Sequence, residues 1–141
     1  MITDTLLLDN SAWVRLAALP DERASEIADA IEAGRIATCL PFLLEADYSA
    51  RSARGHDELL DDLSALPRFA IDDDVEQRAL DAQRQLARVG HHRLPPVDLL
   101  VAAVADRHGL GVLHYDGDYD VIADKTELEF DSVWVAPRGA L

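Results

Sequence analysis

The chain has 141 residues, of which 49% are hydrophobic, and its formal net charge is −14. This length and composition are typical of a single globular domain over residues 1–141 and exclude a disordered chain. No apolar run approaches the roughly 20 residues that a membrane-spanning helix needs. The excess of acidic residues repels phosphates at long range, so binding to nucleic acid would require metal ions or a local basic patch.

The cellular setting is indicated by the beginning of the chain and by its single cysteine. The first residues lack the basic segment and the cleavage site of a signal peptide. Cys39 cannot form an internal disulfide and lies in a strand-like run, which favours a small buried side chain. We therefore predict a protein of the cytoplasm, where thiols stay reduced.

In chain order, apolar runs that predict strands alternate with segments whose apolar residues recur at helical spacing. The predicted strands lie at residues 5–8, 35–40, 68–71, 111–114 and 128–135. The predicted helices lie near residues 12–17, 21–33, 41–54, 56–65, 74–89, 98–108 and 119–125. Alternation of this kind implies an α/β fold, in which a parallel sheet carries helices on both faces.

The most apolar of these helices begins at Asp98. Residues 99–105 are all apolar, so we expect this helix to be packed inside the domain. An unpaired charge at its start would be costly to bury. Gly109 is a natural left-handed helix stop, and the strand after it leads Asp116 and Asp118 into a turn.

Acidic residues follow the strands or begin the helices at the same edge of the predicted sheet. Right-handed crossovers place the strand-to-helix turns at the carboxyl edge. We therefore expect convergence of Asp9, Glu45, Asp98 and the pair Asp116 and Asp118. Taken singly, each has a structural alternative: Asp9 and Asp98 as helix caps, Asp116 as a turn residue and Glu45 as a partly exposed helix residue.

A cluster of this kind predicts a metal site. Two carboxylates about 4 Å apart repel by roughly 4 kcal/mol at an effective dielectric constant of 20. Three or four would have raised pKa values unless a cation held them ionised. Hard oxygen ligands without cysteine or paired histidine select Mg²⁺ or Mn²⁺. Such a site suits phosphoryl chemistry, and it explains how an acidic protein could approach a polyanion.

Four motifs, taken together and in this order, resemble those of the PIN domains, specifically the toxin ribonucleases of VapBC-type toxin–antitoxin pairs. They are LLLDNSAW, PFLLEADYS, LPPVDLLVAAVADRHG and VLHYDGDYDVIA. The resemblance covers nearly the whole chain and implies a three-layer α/β/α sandwich with a parallel five-stranded sheet of order 3-2-1-4-5. It also implies a Mg²⁺-dependent endoribonuclease that forms homodimers and cleaves RNA with water activated by the metal. A cognate antitoxin with a basic or amphipathic tail would inhibit it.

The resemblance also suggests a role for each acidic residue. Asp9, Glu45, Asp98 and Asp116 match the four acidic positions of the family, with Asp9 and Asp98 as the firmest Mg²⁺ ligands. Asp118 matches a frequent additional acid near the metal. Two residues beside Asp9 would support the ligands: Ser11 corresponds to a hydroxyl position, and Asn10 replaces the threonine or serine of many relatives. An amide can still hydrogen-bond a carboxylate or water.

Contacts to RNA phosphates are predicted for arginines on the helices and for the basic loop at residues 91–93. These arginines are Arg15, Arg51, Arg54 and Arg93. The alternative is that they are solubilising surface residues.

Two other functions are consistent with the same residues. One is a Mg²⁺ phosphohydrolase of small substrates, although LDNSAW lacks the second aspartate that an aspartyl-phosphate mechanism would use. The other is a non-catalytic domain whose acidic edge holds a basic protein partner.

Overall fold

The computed structural model describes residues 1–141, and its five strands form one parallel sheet. The strands are β1 (Leu6–Leu8), β2 (Ile36–Cys39), β3 (Arg68–Phe69), β4 (Gly111–His114) and β5 (Ser132–Trp134). The helices are α1 (Asn10–Trp13), α2 (Asp21–Glu32), α3 (Leu40–Tyr48), α4 (Ala53–Leu63), α5 (Asp73–Arg88), α6 (Pro96–His108) and α7 (Asp118–Lys125), with a 3₁₀ turn at Leu16–Ala18. The strand order is β3-β2-β1-β4-β5, which confirms the predicted PIN-like fold.

The first strand lies at the centre of the sheet. Leu7 pairs with Ala37 of β2 on one side and with Val112 of β4 on the other. All three residues of β1 are buried, because a central parallel strand is covered on both faces and is therefore continuously apolar.

The strand order reverses at β1, and this reversal positions the functional edge. The chain moves from β1 to β2 and β3 in one direction, then crosses to β4 and β5 in the other. Right-handed crossovers in opposite directions place helices on opposite faces of the sheet. In open parallel sheets, the crevice for a ligand lies at the carboxyl ends of the strands where the order reverses. Here that crevice lies beyond β1 and β4.

Helix α6 is buried along most of its length, as its apolar sequence predicts. Leu99 and residues 101–105 are all buried. The helix ends at Gly109, which has the left-handed conformation with φ of 67°. Asp98 does not cap α6, because Pro95 occupies the capping position and no side chain caps the helix.

The predicted helix over residues 41–54 is wrong in its second half. Helix α3 ends at Tyr48, and a new helix begins after Ser52, whose side chain accepts a hydrogen bond from the Gly55 amide at 3.0 Å. This serine cap starts α4 and leaves Arg51 between the two helices. Arg54 therefore lies on α4 rather than on the helix that carries Glu45.

The last strand is shorter than the predicted range of 128–135. Strand β5 covers only Ser132–Trp134. The amides of Leu128 and Glu129 donate instead to the side chains of Thr126 and Asp106. Because these amides are already bonded, that segment does not extend the sheet.

Cys39 is fully buried at the end of β2, and burial raises the pKa of its thiol to about 11. This confirms the expected small buried side chain. None of the seven helices combines the length and the apolar character that crossing a membrane requires.

Candidate metal centre

Asp9 directly follows the central strand and is held by several hydrogen bonds. Its amide continues the sheet by donating to the Leu113 carbonyl at 3.0 Å. One carboxylate oxygen, Oδ2, accepts from the Ser11 amide at 3.0 Å and from the Ser11 hydroxyl at 2.5 Å. The Ser11 hydroxyl in turn accepts from the Tyr115 amide at 2.9 Å. Ser11 therefore joins the turn after β1 to the turn after β4, at the edge where the sequence predicted convergence.

Asn10 does not support the carboxylate as expected. It is the first residue of α1, and its carbonyl accepts the Val14 amide at 3.1 Å, but its side chain makes no hydrogen bond to Asp9. Ser11 supplies both donors to Oδ2 because the capping geometry of Asp9 turns the second following residue towards the carboxylate.

The other Asp9 oxygen, Oδ1, is bound by a residue that the sequence interpretation missed. The Tyr119 hydroxyl donates to it at 2.6 Å and lies 3.4 Å from Oδ1 of Asp98. Tyr119 is fully buried, and burial together with the charges of Asp9 and Asp98 raises its pKa well above the ordinary value. The phenol is thus a neutral donor between two carboxylates. Only its nearness in the sequence to Asp116 and Asp118 could have suggested this position.

Asp98 is the most perturbed carboxyl group of the site. It projects from the first turn of α6, is only 7% exposed, and its Oδ2 atom is buried without a hydrogen-bond partner. Burial, followed by the charges of Asp9, Asp116, Asp118 and Glu45, raises its pKa to about 7. A cation at this position would supply the partner that Oδ2 lacks and would favour the ionised form.

The three carboxylates that come closest together are those of Asp98, Asp116 and Asp118. One oxygen atom from each lies within 4.8 Å of the others. The Asp118 amide donates to Oδ1 of Asp116 at 3.0 Å, which fixes the turn. Burial and the charge of Asp116 raise the pKa of Asp118. Asp118, expected only as an auxiliary acid, is therefore as central to this cluster as Asp116.

Asp9 and Glu45 lie around this cluster. Asp9 shares Tyr119 with Asp98, as described above. Glu45 is exposed on α3, and partial burial and the charge of Asp9 raise its pKa. The charges of both residues also raise the pKa of Asp98, which places them within electrostatic reach of it.

The turn after β4 is supported by a chain of hydrogen bonds that begins at a buried histidine. The Asp116 amide donates to Nδ1 of the fully buried His114 at 3.1 Å. Nε2 of His114 lies 2.7 Å from the Ser132 hydroxyl, which donates to Asp120 at 2.6 Å. Since Nδ1 accepts, a neutral ring must carry its proton on Nε2. This chain connects β4, β5 and α7 behind Asp116.

The predicted phosphate contacts are spread over the surface. Arg15 lies nearest to the carboxylates, because its Nη1 donates to the Ser11 carbonyl at 2.8 Å and its guanidinium stacks 4.5 Å from the centre of the Tyr115 ring. Arg54 pairs with Glu58 on its own helix at 3.0 Å. Arg51 and Arg93 are exposed and form no ion pair. For these four arginines, contact with RNA stays a prediction.

A family model described as the PIN domain matches residues 6–125. The chain belongs to the PIN-domain family. Within that family it is 39% identical over 137 residues to Ribonuclease VapC18 of Mycobacterium tuberculosis, an alignment that covers 95% of this chain and 97% of the relative. It is 42% identical over 138 residues to Ribonuclease VapC2 of the same species, with 95% and 96% covered. These relatives make it a VapC-type PIN domain.

Solved structures share the fold of this PIN domain. The DNA-bound VapBC structure from Salmonella typhimurium superimposes with a TM-score of 0.73 at 18% identity, covering 95% of this chain and all of the other. The VapBC-5 structure from Mycobacterium tuberculosis gives a TM-score of 0.63 at 25% identity, with 93% and 100% covered. The fold of this PIN domain is therefore one that is found in VapBC structures.

The donor set of this PIN domain fits Mg²⁺ or Mn²⁺. All close donors are carboxylate oxygens, with no cysteine or histidine ligand among them, which is the chemistry that hard divalent cations select. The orphaned Oδ2 of Asp98 and the raised pKa values of Asp98 and Asp118 indicate uncompensated negative charge. A divalent cation would compensate this charge and hold the carboxylates together.

Proposed function

We propose that this VapC-type PIN domain, spanning residues 1–141, is a Mg²⁺-dependent endoribonuclease and the toxin of a type II toxin–antitoxin pair. The observation that carries the proposal is the buried Asp98, which has a carboxylate oxygen without a partner and forms a cluster with Asp116 and Asp118. The names of the relatives, which are ribonucleases, support RNA as the substrate.

Asp98, Asp116 and Asp118 would hold the metal ion, with Asp9 as a further ligand of the same edge. The bound cation supplies Lewis-acid activation and neutralises charge that develops on the phosphodiester oxygens. Ser11 and Tyr119 together give Asp9 three hydrogen-bond donors, which fix the orientation of this carboxylate. Glu45, exposed at the rim with a raised pKa, is suited to hold or accept a proton on the open side of the site.

The partners follow from the charge and from the relatives. A net charge of −14 and an acidic groove suit an antitoxin with a basic or amphipathic tail, which would cover the carboxylates and block RNA. VapBC complexes among the solved relatives support such a partner. We further propose that the protein forms a homodimer and acts in the cytoplasm, where Cys39 stays reduced.

The proposal is tested with Asp9→Asn, which keeps the shape and removes the charge. We expect RNA cleavage in Mg²⁺ or Mn²⁺ to fall by roughly 100-fold or more. Cleavage is measured by sequencing the new RNA 5′ ends that form after brief induction. The matched control is Asp62→Asn, which removes the same charge from the exposed face of α4. Growth inhibition should be lost with Asp9→Asn and kept with Asp62→Asn.

Three outcomes would reject the proposed site or the proposed function. Full cleavage by Asp9→Asn would show that this edge is not the catalytic site. Turnover of a small phosphate ester without any RNA cleavage would indicate a phosphohydrolase, and failure to bind Mn²⁺ in titration calorimetry together with tight binding to a basic protein would indicate a non-catalytic domain.

A further inference from the structure

One arginine lies against the turn that carries two of the carboxylates. An ideal Cβ atom built on Gly117, between Asp116 and Asp118, would lie 3.2 Å from both terminal nitrogens of Arg138 and 3.3 Å from its Cζ atom. Gly117 itself has helical dihedral angles, with φ of −60° and ψ of −16°, which any residue adopts. Its backbone therefore does not require glycine, but a side chain at this position would press against the guanidinium unless Arg138 moved by a few tenths of an ångström.

The position of Arg138 is set by the fold of the segment after β5. Its guanidinium stacks 5.7 Å from the centre of the Trp134 ring. Trp134 is fixed by a hydrogen bond from its Nε1 atom to Asp120 at 2.9 Å. Arg23 of α2 holds the same segment by donating to the carbonyls of Val135 at 3.0 Å and Trp134 at 3.2 Å. Contacts from α7 and α2 thus hold the segment that places the Arg138 guanidinium beside the turn.

Arg138 is also unpaired in a strongly acidic protein. Some arginines are neutralised locally: Arg78 pairs with Asp106 at 2.7 Å, and Arg107 pairs with Asp74 at 3.0 Å. Arg138 is exposed and takes part in none of the ion pairs. It therefore lies beside the turn between Asp116 and Asp118 and forms no hydrogen bond or ion pair with a carboxylate, although its charge helps to lower the pKa of Asp120.

We propose that Arg138 binds a phosphate of the RNA beside the metal centre, an inference that rests on the proposed ribonuclease function. A guanidinium offers paired donors whose geometry matches phosphate oxygens. At this place its charge offsets part of the repulsion that a net charge of −14 imposes on a polyanion. Gly117 complements Arg138, because the absence of a side chain at this position lets the guanidinium approach the turn that bears the metal ligands.

The test compares Arg138→Met with Arg84→Met. Both remove one exposed positive charge, but the only ionic partner of Arg84 is Asp81 on its own helix, at 3.8 Å. The substrate is an end-labelled pool of random single-stranded RNA, cleaved in Mn²⁺ over a series of NaCl concentrations. Mn²⁺ affinity by titration calorimetry and the thermal unfolding midpoint are measured on the same proteins.

For Arg138→Met we expect kcat/KM at low salt to fall by roughly tenfold or more, mainly through a higher KM, because one charged hydrogen-bonding partner of the phosphate is lost. The slope of log kcat/KM against log salt should become shallower by about 0.7, which corresponds to one lost phosphate contact on a single strand. Mn²⁺ affinity should stay unchanged, and Arg84→Met should match the native protein in the salt slope. Arg138→Lys should recover the slope but only part of the KM, because lysine keeps the charge without the planar pair of donors.

Two results would overturn the role of Arg138. One is a native kcat/KM and salt slope in Arg138→Met. The other is a loss of cleavage with an unchanged slope and a lower unfolding midpoint, which would show that Arg138 only packs the segment against Trp134. If the native protein does not cleave RNA while still binding Mn²⁺, the proposed function fails instead, and that outcome is separate from both.

Discussion

Asp98 and Glu45 occupy comparable places in the sequence but very different environments in the structure. Each is carried by a helix with a proline in its first turn, α6 for Asp98 and α3 for Glu45. Asp98 is 7% exposed on a helix that is buried along most of its length. Glu45 is exposed, and its neighbours Leu44 and Tyr48 are 63% and 92% exposed.

This difference in burial predicts different roles for the two carboxylates in the proposed function. A rigid, buried helix can hold a charged group where water cannot solvate it, which makes that group dependent on a cation. An exposed group at the rim keeps contact with solvent and can exchange protons with it. We therefore expect Asp98 to determine metal binding and Glu45 to affect the reaction more than the binding.

The largest effect is expected from Asp98→Asn. Cleavage of RNA should fall by roughly 1000-fold, because the centre loses the charge of a ligand that no other residue can replace. Mn²⁺ affinity, measured by titration calorimetry, should fall in parallel, while the control Asp62→Asn keeps both. Unchanged Mn²⁺ affinity in the variant would contradict the expectation that Asp98 determines metal binding.

A smaller effect, concentrated on the catalytic rate, is expected from Glu45→Gln. We expect kcat to fall by roughly 100-fold if Glu45 handles a proton, with Mn²⁺ affinity changed much less than in Asp98→Asn. The unfolding midpoint should stay close to that of the native protein because Glu45 is exposed. Steady-state kinetics together with calorimetry would check this, and a loss of Mn²⁺ affinity equal to that of Asp98→Asn would remove the distinction between the two carboxylates.

The smallest effect concerns the stability of the metal-free protein. The pKa of Asp98 is about 7 in the folded protein, whereas it is about 3.9 in an unfolded chain. Between these values the folded state binds more protons, so Asp98 lowers the free energy of unfolding progressively as the pH rises from about 4 to about 7. In EDTA, Asp98→Asn should therefore gain stability relative to the native protein by a few degrees in the unfolding midpoint over this range.

Burial lowers the pKa of His114, which therefore changes the free energy of unfolding with pH in the opposite direction. Comparing Asp98→Asn with the native protein at each pH cancels this contribution. A difference in midpoint that does not change with pH would show that Asp98 is not the titrating group. Addition of Mn²⁺ should stabilise the native protein more at pH 8 than at pH 5, since the metal binds the ionised carboxylates.

Much of the fold is encoded in local patterns. The continuous apolar runs of β1 and β4 and the apolar stretch of α6 lie where periodicity predicts them. The break between α3 and α4 was missed, because a serine cap at Ser52 decides it and such a cap leaves the apolar pattern almost unchanged. The short β5 was missed for a similar reason, since side chains outside the strand bind the preceding amides.

The carboxylates of the site were predictable, but the residues that arrange them were not. Asp98 and Asp116 stand at element boundaries that topology brings to one edge, so their proximity follows from the strand order. Tyr119 orients Asp9 through a hydrogen bond, and this contact depends on side-chain packing rather than on periodicity. The same is true of Arg138, which lies beside Gly117. The spacing of the acidic residues also does not show that Asp118 lies as close to the cluster as Asp116, so Asp118 was expected to be only an auxiliary acid.

The central position of β1 has a consequence for the synthesis of the protein. Asp9 ends the first strand, yet the tyrosine that orients it lies 110 residues further along the chain, and the neighbouring strand β4 precedes that tyrosine by only a few residues. A nascent chain on the ribosome therefore contains its first carboxylate long before the partners that complete the centre. The centre is therefore completed only after residues on both sides of this separation have been synthesised and have packed together.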